Sequence, residues 1–375
     1  MTRSRGKVQV TARVRIEGPD DLAEHYTPGV AEQAKRVAED PSVLARETVQ
    51  ANSVAIVSDG SALLGLGDQG PAAALPVMEG KAALLKRFAD VDAWPICPVS
   101  REPDDLVRTV KDLATSFGAI NLEDIAAPRC FTVERRLQDE LDVPVFHDDQ
   151  HGTAVAVLAA LRNALKLTGR EPADTSVVIS GAGAAGSSVA RLLLGADFRA
   201  ERVVVCDSGG VLHEGRDLTA EKRWLAEHTN RGGAAQGSLQ DALCNADVFI
   251  GVSAGGLLDG ADIARMADRA IVFGLANPDP EVDPEAAAEH AEIVATGRSD
   301  LPNQINNVLV FPGMFRGLLD SGAARVTTRM LLSAAQALAD TVGDDFDREH
   351  IVPSVFAEGL VPALAEGVAA AAKDY

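Results

Sequence analysis

Hydrophobic and polar positions along residues 18–160 alternate between stretches typical of short buried strands and stretches typical of amphipathic helices. The run SVAIVSDG at 53–60 predicts a strand that ends in a turn, and VDAWPICPVS and VPVFHDD predict two more buried strands. AEQAKRVAED has the apolar spacing of a helix, and so has PVMEGKAALLKRFADV after Gly80. Such alternation predicts an α/β fold with a parallel sheet.

The pattern changes at Gly152, where a second alternating series begins. TAVAVLAALRNALKLTG predicts a helix that ends at Gly169. TSVVIS (175–180) and RVVVCD (202–207) predict strands, and further strands are predicted in ADVFIGVS, RAIVFGLAN and AEIVATG. After FPGMFRG at 311–317 the chain is mostly helical. We therefore expect two domains, residues 1–155 and 156–375, the second ending in a helical segment.

The composition is that of an ordinary globular protein, but the charge is strongly acidic. Of 375 residues, 46% are hydrophobic and 24% are charged, and the formal net charge is −20. Such a chain offers no broad basic surface for a nucleic acid or an anionic membrane. No apolar run is long enough to predict a membrane span, and four cysteines without a CxxC pair fit a reducing cytoplasm. These observations favour a cytoplasmic protein that acts on a small molecule.

A glycine turn at 181–186 carries the clearest chemical signal in the second half of the chain. Its sequence, GAGAAG, matches GxGxxG, follows an apolar strand and opens a helix, as in a Rossmann-type dinucleotide-binding domain. Gly181 permits the tight turn, Gly183 lets the pyrophosphate approach the backbone, and Gly186 lets the helix pack closely on the strand. The pyrophosphate would lie on the helix N-terminus at Ala184 and Ala185. The alternative is a glycine-rich turn that binds no ligand.

Asp207 ends the strand that follows this helix and predicts the choice of dinucleotide. A carboxylate at this position accepts hydrogen bonds from the adenosine ribose and repels a 2′-phosphate, which favours NAD. Lys222 and Arg223 follow on a predicted helix, where they either face solvent or pair with a 2′-phosphate. The sequence therefore predicts NAD or NADP without deciding between them.

Two acidic pairs follow predicted strands in the first half of the chain. Glu123 and Asp124 lie in INLEDIAAP, and Asp148 and Asp149 lie in VPVFHDDQHGT. Carboxylates that converge on one cleft repel each other unless a cation lies between them, and oxygen ligands select Mg²⁺ or Mn²⁺ rather than zinc. The two histidines of HDDQH have no zinc-site spacing, so we expect them to support the site rather than bind the metal. The alternative for the acidic pairs is helix capping and turn formation.

From about residue 20 to residue 320 the chain resembles the short bacterial malic enzymes. The segments that carry the resemblance are YTPGVAEQAK (26–35), VSDGSALLGLGDQGPAAALPVMEGKAALLKRF (57–88), VDAWPIC (91–97), INLEDIAAPRCF (120–131), VPVFHDDQHGTA (143–154), GAGAAG, LANPDPE (275–281) and GRSDLPNQINNVLVFPGMFRG (297–317). The glycine turn alone is not specific, but the combination is.

The resemblance implies a role for each matching position. It implies Tyr26 as general acid, Lys81 as general base with Asp148 beside it, Glu123, Asp124 and Asp149 as ligands of Mg²⁺ or Mn²⁺, and Asn277 and Asn307 as residues that hold the substrate carboxylate, with Asn277 also near the cofactor. It further implies a dimer or larger homo-oligomer. Larger relatives place a malate-binding arginine where this chain has Ser61-Ala62, so the residue that binds the distal malate carboxylate stays open.

The residues themselves point to the same chemistry. Oxidative decarboxylation needs a base for the C2 hydroxyl proton, a Lewis acid for the developing carbonyl, and an acid that protonates the enol. Lys81 suits the base if burial lowers its pKa, in a chain that otherwise prefers arginine. Tyr26 is the one tyrosine apart from the terminal Tyr375. The alternatives are an ordinary helix lysine and a tyrosine that only packs.

Three functions compete for this site. The first is a malic enzyme, which converts (S)-malate and NAD(P)⁺ into pyruvate, CO₂ and NAD(P)H. The second is a malolactic decarboxylase, which uses the same residues without net redox change. The third is a catalytically inactive nucleotide-binding protein on the same fold. Inactive relatives usually lose an acid, a base or a metal ligand, whereas all of these positions are filled here, so we expect an active oxidoreductase.

Overall fold

The computed structural model describes residues 6–343 and 346–373, and Tyr375 therefore lies outside the described residues. The first half is built on a four-stranded parallel sheet with the order β2-β1-β3-β4. Its strands are β1 (Ser53–Val57), β2 (Asp92–Ile96), β3 (Ala119–Leu122) and β4 (Val145–His147). Its helices are α1 (Pro19–His25), α2 (Gly29–Glu39), α3 (Leu44–Glu47), α4 (Pro71–Ala89), α5 (Pro103–Ala114) and α6 (Arg129–Glu140).

The second half is built on a six-stranded sheet with the order β10-β9-β8-β5-β6-β7, in which only β7 is antiparallel to its neighbour. Its strands are β5 (Val177–Ser180), β6 (Val203–Asp207), β7 (Gly210–Val211), β8 (Val248–Gly251), β9 (Ala270–Gly274) and β10 (Ala291–Thr296). Its helices are α7 (Thr153–Thr168), α8 (Ala184–Leu194), α9 (Ala220–His228), α10 (Leu239–Ala242), α11 (Gly260–Ile263), α12 (Pro284–Ala288), α13 (Phe311–Ser321), α14 (Thr328–Asp340) and α15 (Leu360–Ala372).

These elements confirm the predicted α/β fold, and the sheets explain why the strand sequences read as unbroken apolar runs. All five residues of β1 are buried, because helices cover both faces of a parallel sheet. The two sheets lie on either side of residue 155, although the domain boundary itself stays a prediction. One buried apolar cluster includes Val54 and Ile56 of the first sheet and Val177 and Ile179 of the second. The two halves therefore share part of their core.

Two features differ from the predicted pattern. Helix α4 begins at Pro71, well before Gly80, because proline at the first helical position needs no hydrogen-bond donor and Pro76 is accommodated inside the helix. A π-helical turn, Asp148–Gly152, joins β4 to α7. In the described parts of the chain, no helix is both long and apolar enough to cross a membrane.

The strand ends determine where the polar residues meet. Strands β3 and β4 are parallel neighbours in which Leu122 pairs with His147, so the acidic pairs that follow them emerge at the same edge of the sheet. Helix α13 packs over this region, and the ring of its Phe315 lies 5.5 Å from the ring of Phe146 on β4. Helix α13 thus covers one side of the site in the first half.

Candidate active site

Lys81 lies on α4 and is the only lysine among the buried charged residues of the described chain. Its Nζ atom contacts Oδ2 of Asp148 and Oε2 of Glu123, both of which are also buried. Asn121 Nδ2 donates to the same Glu123 oxygen at 2.9 Å, and the ring centre of Phe311 lies 4.5 Å from Nζ. The structure therefore brings the predicted base together with Asp148 and Glu123, although residue 81 lies on α4, residue 123 just after β3 and residue 148 just after β4.

The charges around Lys81 shift its pKa in the opposite direction to the one that the sequence suggested. Burial acts to lower the pKa of Lys81, but the carboxylates of Asp148, Glu123 and Asp149 act in the opposite direction, so its pKa is raised. Burial raises the pKa of Glu123 well above its usual range, and the Lys81 ammonium only partly offsets this effect. Lys81 is thus a protonated lysine in this arrangement. It becomes a base only when part of the surrounding negative charge is neutralised.

Asp124 and Asp149 complete the predicted set of metal ligands. The backbone N–H of Asp124 donates to Asp149 Oδ2 at 2.8 Å, and Asp124 has a φ of 53°, which turns the chain sharply after β3. His147 Nε2 lies 3.3 Å from the same Asp149 oxygen. Burial acts to raise the pKa of Asp149, but His147, the Lys81 ammonium and the backbone N–H of Asp124 together outweigh it, so the pKa is lowered.

The donor chemistry of Glu123, Asp124 and Asp149 fits a hard divalent ion, since all three offer carboxylate oxygens at adjacent strand ends. Within residues 6–343 and 346–373, no three such side chains are already arranged around a common point. The Lys81 ammonium lies instead against Glu123 and Asp148. Metal binding at these residues would therefore require the Lys81 and Glu123 side chains to move apart.

A buried hydrogen-bond network supports the acidic turn from behind. Gln150 Nε2 lies 2.7 Å from Glu134 Oε2 and 2.6 Å from His147 Nδ1, so the amide donates a hydrogen bond to each. Because Nδ1 of His147 then accepts, its ring hydrogen is on Nε2, which faces Asp149. His151 Nε2 lies 2.6 Å from Glu134 Oε1, and its Nδ1 lies 3.3 Å from the hydroxyl of Ser188 on α8. Both histidines are thus engaged in positioning the turn.

Glu134 was not identified from the sequence, although a signal was present. It lies on α6 among the buried positions Cys130, Val133 and Leu137, so it is an acid on an apolar helix face. Burial acts to raise its pKa, but His151, His147 and Gln150 together outweigh this effect, and the pKa of Glu134 is lowered. An ionised, buried acid of this kind indicates a fixed hydrogen-bonding role.

The glycine turn forms one wall of a cleft of about 1060 Å³. Gly181 has a φ of +120°, and a Cβ at Gly186 would lie 1.8 Å from the carbonyl oxygen of Gly181, so both positions require glycine. A Cβ at Gly183 would meet no protein atom within 4 Å, which leaves the backbone open to a ligand. Ala184 and Ala185 form the first turn of α8. The motif thus has the strand–turn–helix context that it was predicted to have.

Asp207 lines the same cleft but is held by two cations. Its Oδ1 accepts a hydrogen bond from Arg216 Nη2 at 2.8 Å, and its Oδ2 accepts one from Lys222 Nζ at 2.6 Å. Burial acts to raise the pKa of Asp207, but these hydrogen bonds outweigh it and the pKa is lowered. Arg223 instead donates to the carbonyl of Leu218. Arg216 was missed because a loop arginine has no spacing that reveals its partner.

The remaining predicted residues lie at the margins of the site. Tyr26 follows α1 with 64% of its surface exposed, and in the described chain no hydrogen bond joins its side chain to the Lys81 cluster. Asn277 lies at the junction of the two halves, since a Cβ at Gly65 would be 2.3 Å from its carbonyl oxygen. Asn307 lies beside the acidic turn, with its Cβ 3.2 Å from the position of a Cβ at Gly152.

Family models and individual known proteins match both halves of this chain. The family model of the malic enzyme NAD-binding domain matches residues 150–371, and that of the malic enzyme N-terminal domain matches residues 4–100. An NAD-dependent malic enzyme of Geobacillus stearothermophilus is 49% identical over 98% of this chain and 77% of its own length. A bifunctional malic/malolactic enzyme of Bacillus subtilis is 47% identical over 99% of this chain and 91% of its own length.

Solved structures agree with the sequence matches. The malic enzyme of Pyrococcus horikoshii superposes with a TM-score of 0.95 at 46% identity, covering 100% of this chain and 88% of the other. The NAD-dependent malic enzyme of Thermotoga maritima superposes with a TM-score of 0.93 at 46% identity, covering 97% of this chain and 96% of the other. With both family domains matched and with relatives this similar over nearly its full length, the chain belongs to the malic enzyme family.

Proposed function

We propose that this protein oxidises (S)-malate with a nicotinamide dinucleotide and decarboxylates the product to pyruvate and CO₂. The observation that carries the proposal is the buried Lys81, in contact with Asp148 and Glu123 and close to the turn that packs on α8 of the dinucleotide-binding half. A base, a set of carboxylates and a dinucleotide turn therefore meet in one region. A malate-oxidising decarboxylase requires all three, whereas a simple nucleotide-binding protein requires only the turn.

The chain's own residues move the protons. Lys81 takes the proton of the C2 hydroxyl, and Asp148 holds its Nζ in position and stabilises the ammonium that results. When bound, a nicotinamide would supply the hydride acceptor, and Mg²⁺ or Mn²⁺ would supply a Lewis acid for the oxygen at C2. Glu123, Asp124 and Asp149 would hold that ion, while Asn277 and Asn307 would orient the substrate carboxylate from the two sides of the junction. Phe311 limits the access of water to Lys81.

Tyr26 is proposed as the acid that protonates the enol at C3. A general acid needs shelter from water, whereas Tyr26 is exposed in a single chain. The same N-terminal segment exposes Val10 and Ile16, with 74% and 56% of their surfaces accessible. These exposed apolar side chains support a homodimer in which a second copy covers the segment. The mass of the protein in solution, measured by analytical ultracentrifugation, tests this assembly.

The dinucleotide is NAD or NADP. In the wall of the cleft, the carboxylate of Asp207 favours NAD, whereas the cations of Arg216 and Lys222 favour the 2′-phosphate of NADP. The bifunctional name of one relative supports malolactic decarboxylation as a second candidate. The four cysteines are free, which supports the cytoplasmic location.

A steady-state assay with malate and either dinucleotide, with and without Mn²⁺, tests the proposal. Formation of pyruvate and reduced dinucleotide is expected, and lactate without reduced dinucleotide would favour the second candidate.

A further inference from the structure

Glu281 is a fully buried carboxylate that has no part in the chemistry described above. It lies just beyond the carboxyl ends of β8 and β9, and no basic side chain of the described residues forms a salt bridge with it. Burial raises its pKa, although hydrogen bonds from the backbone N–H groups of Ser253 and Ala276 act against this effect. A buried acid without a cation is costly, so its contacts indicate what it contributes.

The carboxylate of Glu281 joins two loops. The backbone N–H of Ser253, just after β8, donates to Oε1 at 2.8 Å, and the N–H of Ala276, just after β9, donates to Oε2 at 3.1 Å. Ser253 lines the dinucleotide cleft, and Ala276 immediately precedes Asn277. One side chain therefore fixes the wall of the cofactor cleft and the predicted substrate residue relative to each other.

The strands are shaped to receive this side chain. Gly251 and Gly274 end β8 and β9 and pair with each other across the sheet. A Cβ at Gly251 would lie 2.3 Å from Cδ of Glu281, and a Cβ at Gly274 would lie 3.2 Å from Cβ of Pro280. Glycine is unfavourable within strands, so its presence at both ends indicates that space for the Glu281 segment is required.

The connection extends in both directions. The hydroxyl of Ser253 lies 2.9 Å from the hydroxyl of Ser180, the last residue of β5 before the glycine turn. On the other side, the carbonyl of Asn277 packs against Gly65 of the first half. Contacts thus run without a gap from the turn that binds the pyrophosphate, through Ser253 and Glu281, to the loop that faces the substrate.

We propose that Glu281 is a positioning residue that couples the binding of the dinucleotide to the binding of malate. The proposal rests on the proposed function, because it takes malate as the ligand near Asn277. With Glu281 in place, a dinucleotide that orders the Ser253 loop also orders the Asn277 loop, so the second ligand binds to a prepared site. Glutamine at this position has nearly the same volume but turns an N–H group towards one of the two donors, and the loops separate.

The test measures the dissociation constant of NADH by fluorescence, with Mn²⁺ present, in the absence and presence of (S)-malate. NADH and malate cannot react with each other, so equilibrium binding is observed. In the wild type, malate is expected to tighten NADH binding about tenfold. In Glu281→Gln the tightening is expected to fall to about twofold or less, whereas NADH binding without malate changes less. Glu285→Gln, which removes the same charge from an exposed position on α12, is expected to retain wild-type coupling.

A second variant separates position from charge. Glu281→Asp keeps the charge but is one methylene shorter and cannot reach both N–H groups, so it is expected to lose the coupling as well. Coupling that is absent in the wild type, retained in Glu281→Gln or restored in Glu281→Asp would overturn the proposal. If Glu281→Gln does not fold, Ser253→Ala is the second variant, since it removes the hydroxyl contacts to Ser180 and to Glu281 Oε1 but keeps the backbone N–H of Ser253. It is expected to weaken the coupling and overturns the proposal if it does not. Wild-type turnover of malate tests the proposed function separately, because the coupling is read from binding alone.

Discussion

Replacement of Lys81 by methionine would test the charge balance of the active site. Methionine keeps the volume and the apolar contacts of the side chain but removes the ammonium that lies between Glu123 and Asp148. Both carboxylates are buried, and the loss of one partner of a buried ion pair typically costs about 3–5 kcal/mol. We expect a loss of this size in the free energy of unfolding at about pH 8, together with complete loss of NAD(P)H formation, because no other base replaces Lys81.

The loss of stability should depend on pH. The pKa of Glu123 is already raised by burial, and removal of the ammonium raises it further. A carboxyl group with a higher pKa in the folded chain than in the unfolded chain contributes stability below the unfolded value, about 4.3. That contribution is lost as the pH rises through the folded value. Lys81→Met should therefore be close to wild-type stability at about pH 5 and fall increasingly below it towards about pH 8.

Urea unfolding at several pH values, followed by circular dichroism, measures this dependence. Lys86→Met is the matched control, since Lys86 lies on the same helix, is about half exposed and pairs with Asp90 and Asp92 at the surface. Lys86→Met should lower the free energy of unfolding by less than about 1 kcal/mol, and this small cost should be unrelated to the charges of the active site. A cost for Lys81→Met that is as small as the control, or that does not change with pH, would refute the reasoning, and residual malate oxidation would remove Lys81 as the base.

Four further results are expected. Asp149→Asn should abolish turnover, because it removes an anionic ligand, and a chelator should silence the wild type until Mn²⁺ is restored; full activity in metal-free buffer would contradict this. Asp207→Ala should raise the kcat/KM ratio of NADP to NAD, because it releases two cations for a 2′-phosphate; an unchanged ratio would show that the acid does not discriminate. Tyr26→Phe should slow malate turnover by about 10²–10⁴-fold with Mn²⁺ and NADH still bound, and near-normal turnover would exclude Tyr26 as the acid. Glu134→Gln should weaken Mn²⁺ binding by about 10–100-fold in a titration followed by electron paramagnetic resonance, whereas unchanged affinity would make Glu134 a packing residue.

The sequence predicts best the residues that directly follow strands. Glu123 and Asp149 could be placed at one edge of a sheet, because the carboxyl ends of neighbouring parallel strands meet there. The glycine turn could be placed because strand, turn and helix succeed each other within a short segment. In each case the local order of elements fixes the position of the side chain. No knowledge of long-range packing is needed.

The residues that escaped prediction depend on packing between distant segments. Glu134 reaches the acidic turn only because α6 lies against β4, and Glu281 reaches two loops only because two strand ends lack side chains. An acid on an apolar helix face, or near a strand that ends in glycine, can be recognised in the sequence as unusual. The partner that compensates its charge, however, is decided by tertiary contacts that no spacing in the sequence encodes.

The direction of the Lys81 pKa shows where reasoning from composition fails. Burial alone would lower it, as the sequence argument assumed, but the balance depends on how many carboxylates lie within a few ångströms. One ammonium among the carboxylates of Glu123, Asp124, Asp148 and Asp149 leaves the cluster with a formal net negative charge, although all of these acids except Asp149 are buried. A divalent ion at these carboxylates would remove most of the field that holds the proton on Lys81. The carboxylates that raise the pKa of Lys81 prevent it from acting as a base while no metal is bound. The same carboxylates make its basicity dependent on the metal, so the lysine would act as a base only once the divalent ion is in place.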